Sequence, residues 1–339
     1  MMDFCYLVNP FYPNRKLLDE IKANFERLIC DYPSGQEINA LLAAKYFGLH
    51  KEEICVGNGA AELIKSLMES VSGKIGMIYP AFEEYPHRKA ETDIVPFFAS
   101  GRDYRYTADE LMAYFDSKDI GTLVLINPDN PSGNYIEKTD VLRMADWAKQ
   151  KGILFVVDES FVDFAKTEES PTLLTREILA AYPNLVVVKS ISKSFGVPGL
   201  RLGVLASGDA ARVAAMKKDV AIWNINSFAE FYLQIFEKYK SNYEDALERF
   251  KTVRDMYVSA LQAVPNLRVI PSQANYVMCE LTGGVSSTEL AETLLDKHNI
   301  LIKDLSPKKG FDGKSYVRLA VKTPRENDLL VKALHTILK

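Results

Sequence analysis

No stretch of this 339-residue chain is apolar for the roughly 20 residues a helix needs to cross a bilayer. An excess of positive charge is missing as well. Lys and Arg number 41 against 45 Asp and Glu, a net charge of −4, so no basic surplus can gather nucleic acid by counterion release. The cysteines Cys5, Cys30, Cys55 and Cys279 form no CxxC pair, which argues for reduced thiols and against a disulfide framework. His50, His87, His298 and His335 show no metal-ligand spacing, so no metal is expected. The opening Met1-Met-Asp-Phe-Cys-Tyr-Leu-Val8 is broken by Asn9-Pro10 too soon for a signal peptide. Repeats, low-complexity tracts and long linkers are absent too. A cytoplasmic protein without membrane or nucleic-acid partners is expected. What remains is ordinary globular material, 47% hydrophobic and 25% charged, long enough for a large core in more than one domain.

The chain is organised around Ser190-Ile-Ser-Lys193-Ser-Phe-Gly-Val-Pro-Gly-Leu-Arg201-Leu-Gly203. The preceding Leu185-Val-Val-Val188 is a short, largely β-branched run that reads as a buried strand. Glycines and a proline follow, so Lys193 falls in a constrained loop just beyond a strand end, where α/β folds place their chemistry. A nucleophilic lysine needs a depressed pKa, which burial and a neighbouring cation supply. Ser190 and Arg201 offer a hydroxyl and a planar fork of donors for a phosphate. Amine and phosphate anchor together point to pyridoxal 5′-phosphate (PLP). The plainer reading of Ser-x-x-Lys alone is a solvated basic loop.

Upstream, helices are expected over about 16–29 and 37–47, the second stopping at Gly48. The strand over 53–57 leads through Asn58-Gly59-Ala60-Ala61 into a helix, the arrangement of an anion site. Glu62 stands where a dinucleotide fingerprint needs its third glycine, so a Rossmann oxidoreductase is disfavoured. The strand over 74–79 delivers Phe82, and that over 123–126 delivers the stiff turn Asn127-Pro-Asp-Asn130-Pro-Ser-Gly133. Asp158 closes the strand over 153–157, where a buried carboxylate needs a cation and a pyridinium N–H supplies one. Otherwise it caps a turn. Strand–helix alternation from 53 to 205 predicts a parallel-dominated sheet with helices on both faces. Further strands near 269–270, 276–279 and 316–321, with helices near 241–263, 287–298 and 325–338, belong to a smaller unit. Arg318 falls on the face of its strand opposite Val317 and Leu319, open to solvent in the plainer reading.

Together these segments resemble the class I/II PLP-dependent aminotransferases of fold type I, over nearly the whole chain. Length, the early Asn9-Pro10 and Ser-x-Ser-Lys193 place the likeness in the histidinol-phosphate aminotransferase and threonine-phosphate decarboxylase branch. The resemblance implies a large PLP-binding domain over 33–240, with a parallel-dominated mixed sheet, and a smaller α/β domain from 1–32 and 241–339. It implies that Lys193 carries the cofactor and moves the substrate proton, with Asp158 on the ring nitrogen. Asn130 would meet the 3′-oxygen and Phe82 the ring face. The phosphate would rest on Ser190, Arg201 and the Gly59-Ala60-Ala61 turn, and Tyr32 would reach the phosphate of a partner subunit in a homodimer. Arg318 would clamp the substrate carboxylate, with Asn9 and Tyr12 also at the substrate and Asn14, Arg15 and Arg325 nearby.

One departure stands out. Where the family's aminotransferases place a tyrosine, this chain has Phe161, as threonine-phosphate decarboxylases do. Transamination between a small amino substrate, phosphorylated or phosphonylated, and a keto acid is expected, with decarboxylation of an O-phospho-amino acid as the alternative. A transcriptional regulator with an aminotransferase-like domain would need an appended DNA-binding module and a basic patch, and neither is present.

Overall fold

The computed structural model describes residues 1–101, 103–311 and 313–339. Its centre is a seven-stranded sheet. The strands are β1 (Ile54–Asn58), β2 (Ile75–Tyr79), β3 (Ile94–Phe98), β4 (Thr122–Ile126), β5 (Leu154–Asp158), β6 (Leu185–Ser190) and β7 (Leu202–Ser207). In space they run β1-β7-β6-β5-β4-β2-β3. Only β7 is reversed, antiparallel to both β1 and β6. All other pairings are parallel, which makes the sheet mixed and parallel-dominated as expected.

Every residue of β4, β6 and β7 is buried, because helices cover both faces and leave no polar side to the strands. Helices Ala60–Ser70 and Lys138–Lys151 follow β1 and β4, in keeping with the expected strand–helix alternation. Strand β3 was not expected. Its Ile94-Val-Pro-Phe-Phe98 carries Pro96, and a proline that cannot donate to a ladder is tolerated at a sheet edge, where β3 lies. The helix expected over 16–29 is two, Arg15–Ala23 and Phe25–Cys30, parted at Asn24. The Asn24 amide donates to the Glu20 carbonyl at 2.9 Å, the local competition that disfavours asparagine inside helices.

A second, four-stranded antiparallel sheet is ordered Lys303–Asp304, Ser315–Ala320, Tyr276–Leu281, Leu267–Val269. Helices Lys240–Gln262, Ser287–His298 and Pro324–Ile337 accompany it. Met2–Asp3 pairs in parallel with Ile300–Leu301, which brings the N-terminal segment to this side of the molecule. The strand Ser315–Ala320 is not half-exposed, as its alternation suggested. Tyr316, Arg318 and Ala320 are buried along with Val317 and Leu319, because the face opposite Val317 meets the Asn130 loop, the Cys5 carbonyl and the Tyr104 ring rather than water. No helix among the described residues is long and apolar enough to cross a membrane.

Candidate active site

The carboxyl ends of parallel strands face one way, and their side-chain loops meet there. At this edge lies a cavity of about 860 Å³ whose wall includes Phe82 after β2, Asn130 after β4, Asp158 at the end of β5 and Lys193 after β6. The neighbouring strand β1 contributes Gly59, Ala60 and Ala61 through the turn that follows it.

That turn builds one end of the cavity. Gly59 has φ +76°, a conformation that glycine adopts without strain, and a side chain there would press on the Arg201 guanidinium at 2.6 Å. The Gly59 N–H donates to the Arg201 carbonyl at 2.8 Å, which ties the turn to the segment after Lys193. Arg201 is itself left-handed (φ 56°), held there by this bond and by the short helix Pro198–Leu200. Glu62 accepts from the Asn58 N–H and the Asn224 amide, both at 2.7 Å, so the residue that breaks the dinucleotide fingerprint closes the loop instead. Ser190 and Ser192 line the same cavity, and the buried Ser192 hydroxyl has no partner among the described residues. Sequence reasoning singled out Ser190 and passed over Ser192 two residues on.

Asp158 is buried on the cavity wall. Its Oδ1 accepts from the Ser160 N–H at 2.8 Å and its Oδ2 from the Tyr85 hydroxyl at 3.0 Å. Burial pushes its pKa up, and the Ser160 and Tyr85 hydrogen bonds and the Lys193 charge oppose the rise. Tyr85 is fully buried and was missed, because nothing near Glu83-Glu84-Tyr85 in the sequence points inward. Lys193 shows the shift a nucleophile needs. Burial lowers its pKa first, then the Arg318 and Arg201 cations, with Asp158 working the other way.

Arg318 closes the far end. Its Nη1 donates to Asn130 Oδ1 at 2.7 Å and its Nη2 to the Cys5 carbonyl at 3.0 Å, while its buried Nε has no partner among the described residues. The guanidinium lies over the Tyr276 ring, 5.3 Å from its centre. Lys303, directly across from Arg318 in the strand register, also lines the cavity and went unnoticed in the sequence. Phe161 is on the wall too, edge-on to Tyr276 at 5.1 Å, so the position beside Asp158 offers no hydroxyl.

Two of the residues expected at the substrate, Asn9 and Tyr12, lie away from the cavity. Asn9 is buried behind Lys193, its amide donating to the Ser194 carbonyl at 2.9 Å and accepting from the Phe11 N–H at 3.0 Å. Tyr12 packs edge-on against Tyr243 in the core. Neither lines the cavity, because Asn9-Pro10 turns the chain inward and leaves Cys5 to Val8 as its wall. Tyr32, expected to reach the phosphate of a partner subunit, is 78% exposed on the surface of this chain, its ring tilted against Trp223. Of the nearby candidates, Asn14 caps the helix Arg15–Ala23 and Arg15 pairs with Asp19 at the surface, while Arg325 is exposed on the last helix.

The residues present suit a phosphorylated aromatic aldehyde. A glycine cradle and a buried serine hydroxyl with no partner among the described residues line the cavity, a depressed-pKa lysine stands beside them, and a buried carboxylate waits opposite. Fold and site define a PLP-dependent enzyme of fold type I. More particularly, the chain belongs to the aminotransferase class I and II family, which matches residues 19–334. Among its relatives, the L-serine phosphate decarboxylase of Sulfurospirillum multivorans is 33% identical over 100% of this chain and 88% of its own. The solved structure of a decarboxylase from that organism superposes with a TM-score of 0.91 at 32% identity, covering 100% and 88%. The CMP-5′-(3-aminopropyl)phosphonate synthase of Streptomyces rubellomurinus is 30% identical over 99% of this chain, which spans only 53% of the synthase. A histidinol-phosphate aminotransferase from Desulfitobacterium hafniense follows at 29% over 91% of this chain and 84% of its own.

Proposed function

We propose that this protein is a PLP-dependent decarboxylase of a small O-phospho-amino acid, with O-phospho-L-serine the first substrate to try. The observation that carries the choice is the end-to-end likeness, at 33% identity, to an L-serine phosphate decarboxylase. Phe161, without the hydroxyl of the aminotransferases, agrees with it. Transamination with a keto acid, the first expectation from the sequence, therefore gives way to its alternative.

In this reading Ser190, Ser192, Arg201 and the N–H groups of the Gly59-Ala60-Ala61 turn hold the cofactor phosphate, at a helix N-terminus whose dipole favours an anion. Phe82 covers the ring. Arg318 donates to Asn130 Oδ1, which leaves the Asn130 Nδ2–H as the donor that would serve the 3′-oxygen. Asp158, its carboxylate oriented by Ser160 and Tyr85, would keep the ring nitrogen protonated. Bound PLP supplies a sink for the electron pair left at the substrate's α-carbon when the carboxyl group departs. Lys193, its pKa depressed, would return a proton to that carbon. Arg318 and Lys303 supply positive charge for a substrate with two anionic groups. Val8, Ile126 and Phe161 give the wall apolar stretches where a carboxylate sheds water before it leaves. A homodimer fits the exposed apolar face around Tyr32, Trp223, Ile222, Ile38 and Leu41, which a second copy would cover.

The test is a PLP-loaded sample given O-phospho-L-serine and no keto acid. Sustained release of carbon dioxide with O-phosphoethanolamine over many turnovers is expected. A single turnover that leaves the cofactor in its amino form would restore transamination.

A further inference from the structure

The turn that bears Lys193 is gripped from behind by groups that the chemistry above does not use. Lys189 is 2% exposed, and its ammonium donates to Asp163 Oδ1 at 2.8 Å. The other oxygen, Oδ2, accepts from the Ser194 hydroxyl at 2.6 Å. Lys189 precedes the turn and Ser194 directly follows Lys193, so one carboxylate spans both ends of it. Asn9 braces the same turn. Its N–H donates to the Lys193 carbonyl and its amide to the Ser194 carbonyl, each at 2.9 Å. Gly196 lies so close to the Tyr12 carbonyl that a side chain there has no room. Asp163 sits on the short helix Val162–Phe164, only five residues beyond Asp158.

We propose that Asp163 is a positioning residue: it ties both ends of the Lys193 turn to the Asp158 segment and so sets where the lysine amine stands relative to that carboxylate. Stability alone is a weak reason for the arrangement. A buried ion pair gains little over well-packed apolar side chains, so Lys189 and Asp163 have no strong claim as a mere filler of the core. What an apolar pair would not give is a directional hold on both flanks of the lysine. Reacting groups misplaced by about 1 Å can lose on the order of a hundredfold in rate.

The proposal rests on the reading of Lys193 as the cofactor-bearing lysine, but not on the substrate or on which reaction follows. Its test is therefore covalent capture of PLP by the full chain stripped of cofactor. Capture is followed by visible absorbance and confirmed by borohydride fixation. Noncovalent PLP affinity is measured in parallel in a Lys193→Ala background, and Tm reports the fold. Ser194→Ala removes one bond and leaves the ion pair. Lys189→Met/Asp163→Leu removes the clamp without stranding a charge. Capture should slow about tenfold in the first, the worth of one hydrogen bond to a charged acceptor, and about a hundredfold in the second. Noncovalent affinity should stay unchanged in both. If the double variant does not fold, Ser194→Ala alone decides. Capture at the parent's rate, or slowing only in step with noncovalent affinity, overturns the clamp and leaves Lys193 in its role. Borohydride fixation that persists in Lys193→Ala overturns the role and the clamp together.

Discussion

The two sheets bring residues to the cavity in different ways. The seven-stranded sheet places Phe82, Asn130, Asp158 and Lys193 at or just beyond strand ends, where apolar runs stop and loops begin. The four-stranded sheet places Arg318 in the middle of a strand and Lys303 on the facing strand at the same register. In a parallel sheet covered on both faces, strand interiors are sealed in core, so only the ends can act. In an antiparallel sheet one face can be given over to a site, and alternation decides which residues reach it. The large sheet thus supplies groups fixed by backbone exits, and the small sheet supplies long side chains that reach across. In the proposed function, chemistry falls to the first set and charge recognition to the second.

Breaking the large-sheet set should cost most. Asp158→Asn keeps the shape but removes the charge that the proposed function sets against the cofactor ring nitrogen. A loss of about two orders of magnitude in kcat at unchanged cofactor content is expected, comparable to other deleted electrostatic groups. A near-normal rate in steady-state assays would reduce Asp158 to a turn cap.

On the small-sheet side, Arg318→Leu should act chiefly through substrate binding, raising KM by about tenfold or more as a charge-assisted contact is lost. Asn130 also loses the N–H that orients its amide, so a smaller fall in kcat should accompany the change. A kcat loss equal to that of Asp158→Asn, with KM unmoved, would dissolve the division between the two sheets.

The smallest effect concerns Asp129, in the loop where the two sheets meet. Burial raises its carboxyl to about 6, against hydrogen bonds from Ser132 and Tyr106, while its backbone carbonyl accepts from Tyr276 at 2.5 Å. A folded pKa above the unfolded value of about 3.9 means that ionisation is disfavoured in the native state, so stability falls as pH rises from about 4 to 6. Asp129→Asn should therefore be more stable than the parent at pH 7, with the gain fading toward pH 4. Denaturant midpoints at the two pH values check this, and an equal difference at both would show that the carboxyl does not titrate in that range.

Lys193, Asp158 and Asn130 were legible because each follows an apolar run, a pattern visible in one dimension. Phe82 and Arg318 needed the family resemblance, since an aromatic after a strand or an arginine within one has ordinary structural uses. Asn9 and Tyr12 were expected at the substrate and lie behind the lysine turn instead, because the path of a chain after Asn9-Pro10 depends on what it packs against. Tyr85 could not have been found, for its one functional contact is with Asp158, 73 residues away. Sequence by itself determined the parallel-dominated sheet, the order of loops at its edge and the PLP chemistry, because apolar periodicity and turn residues act over a few neighbours. Tertiary structure alone decided which side chains orient the reactive ones: Tyr85 on Asp158, Arg318 on Asn130, and Asp163 on both ends of the Lys193 turn. Those pairs meet across 26 to 188 positions, and a hydrogen bond needs its partner within about 3 Å in space, a distance that no local pattern encodes.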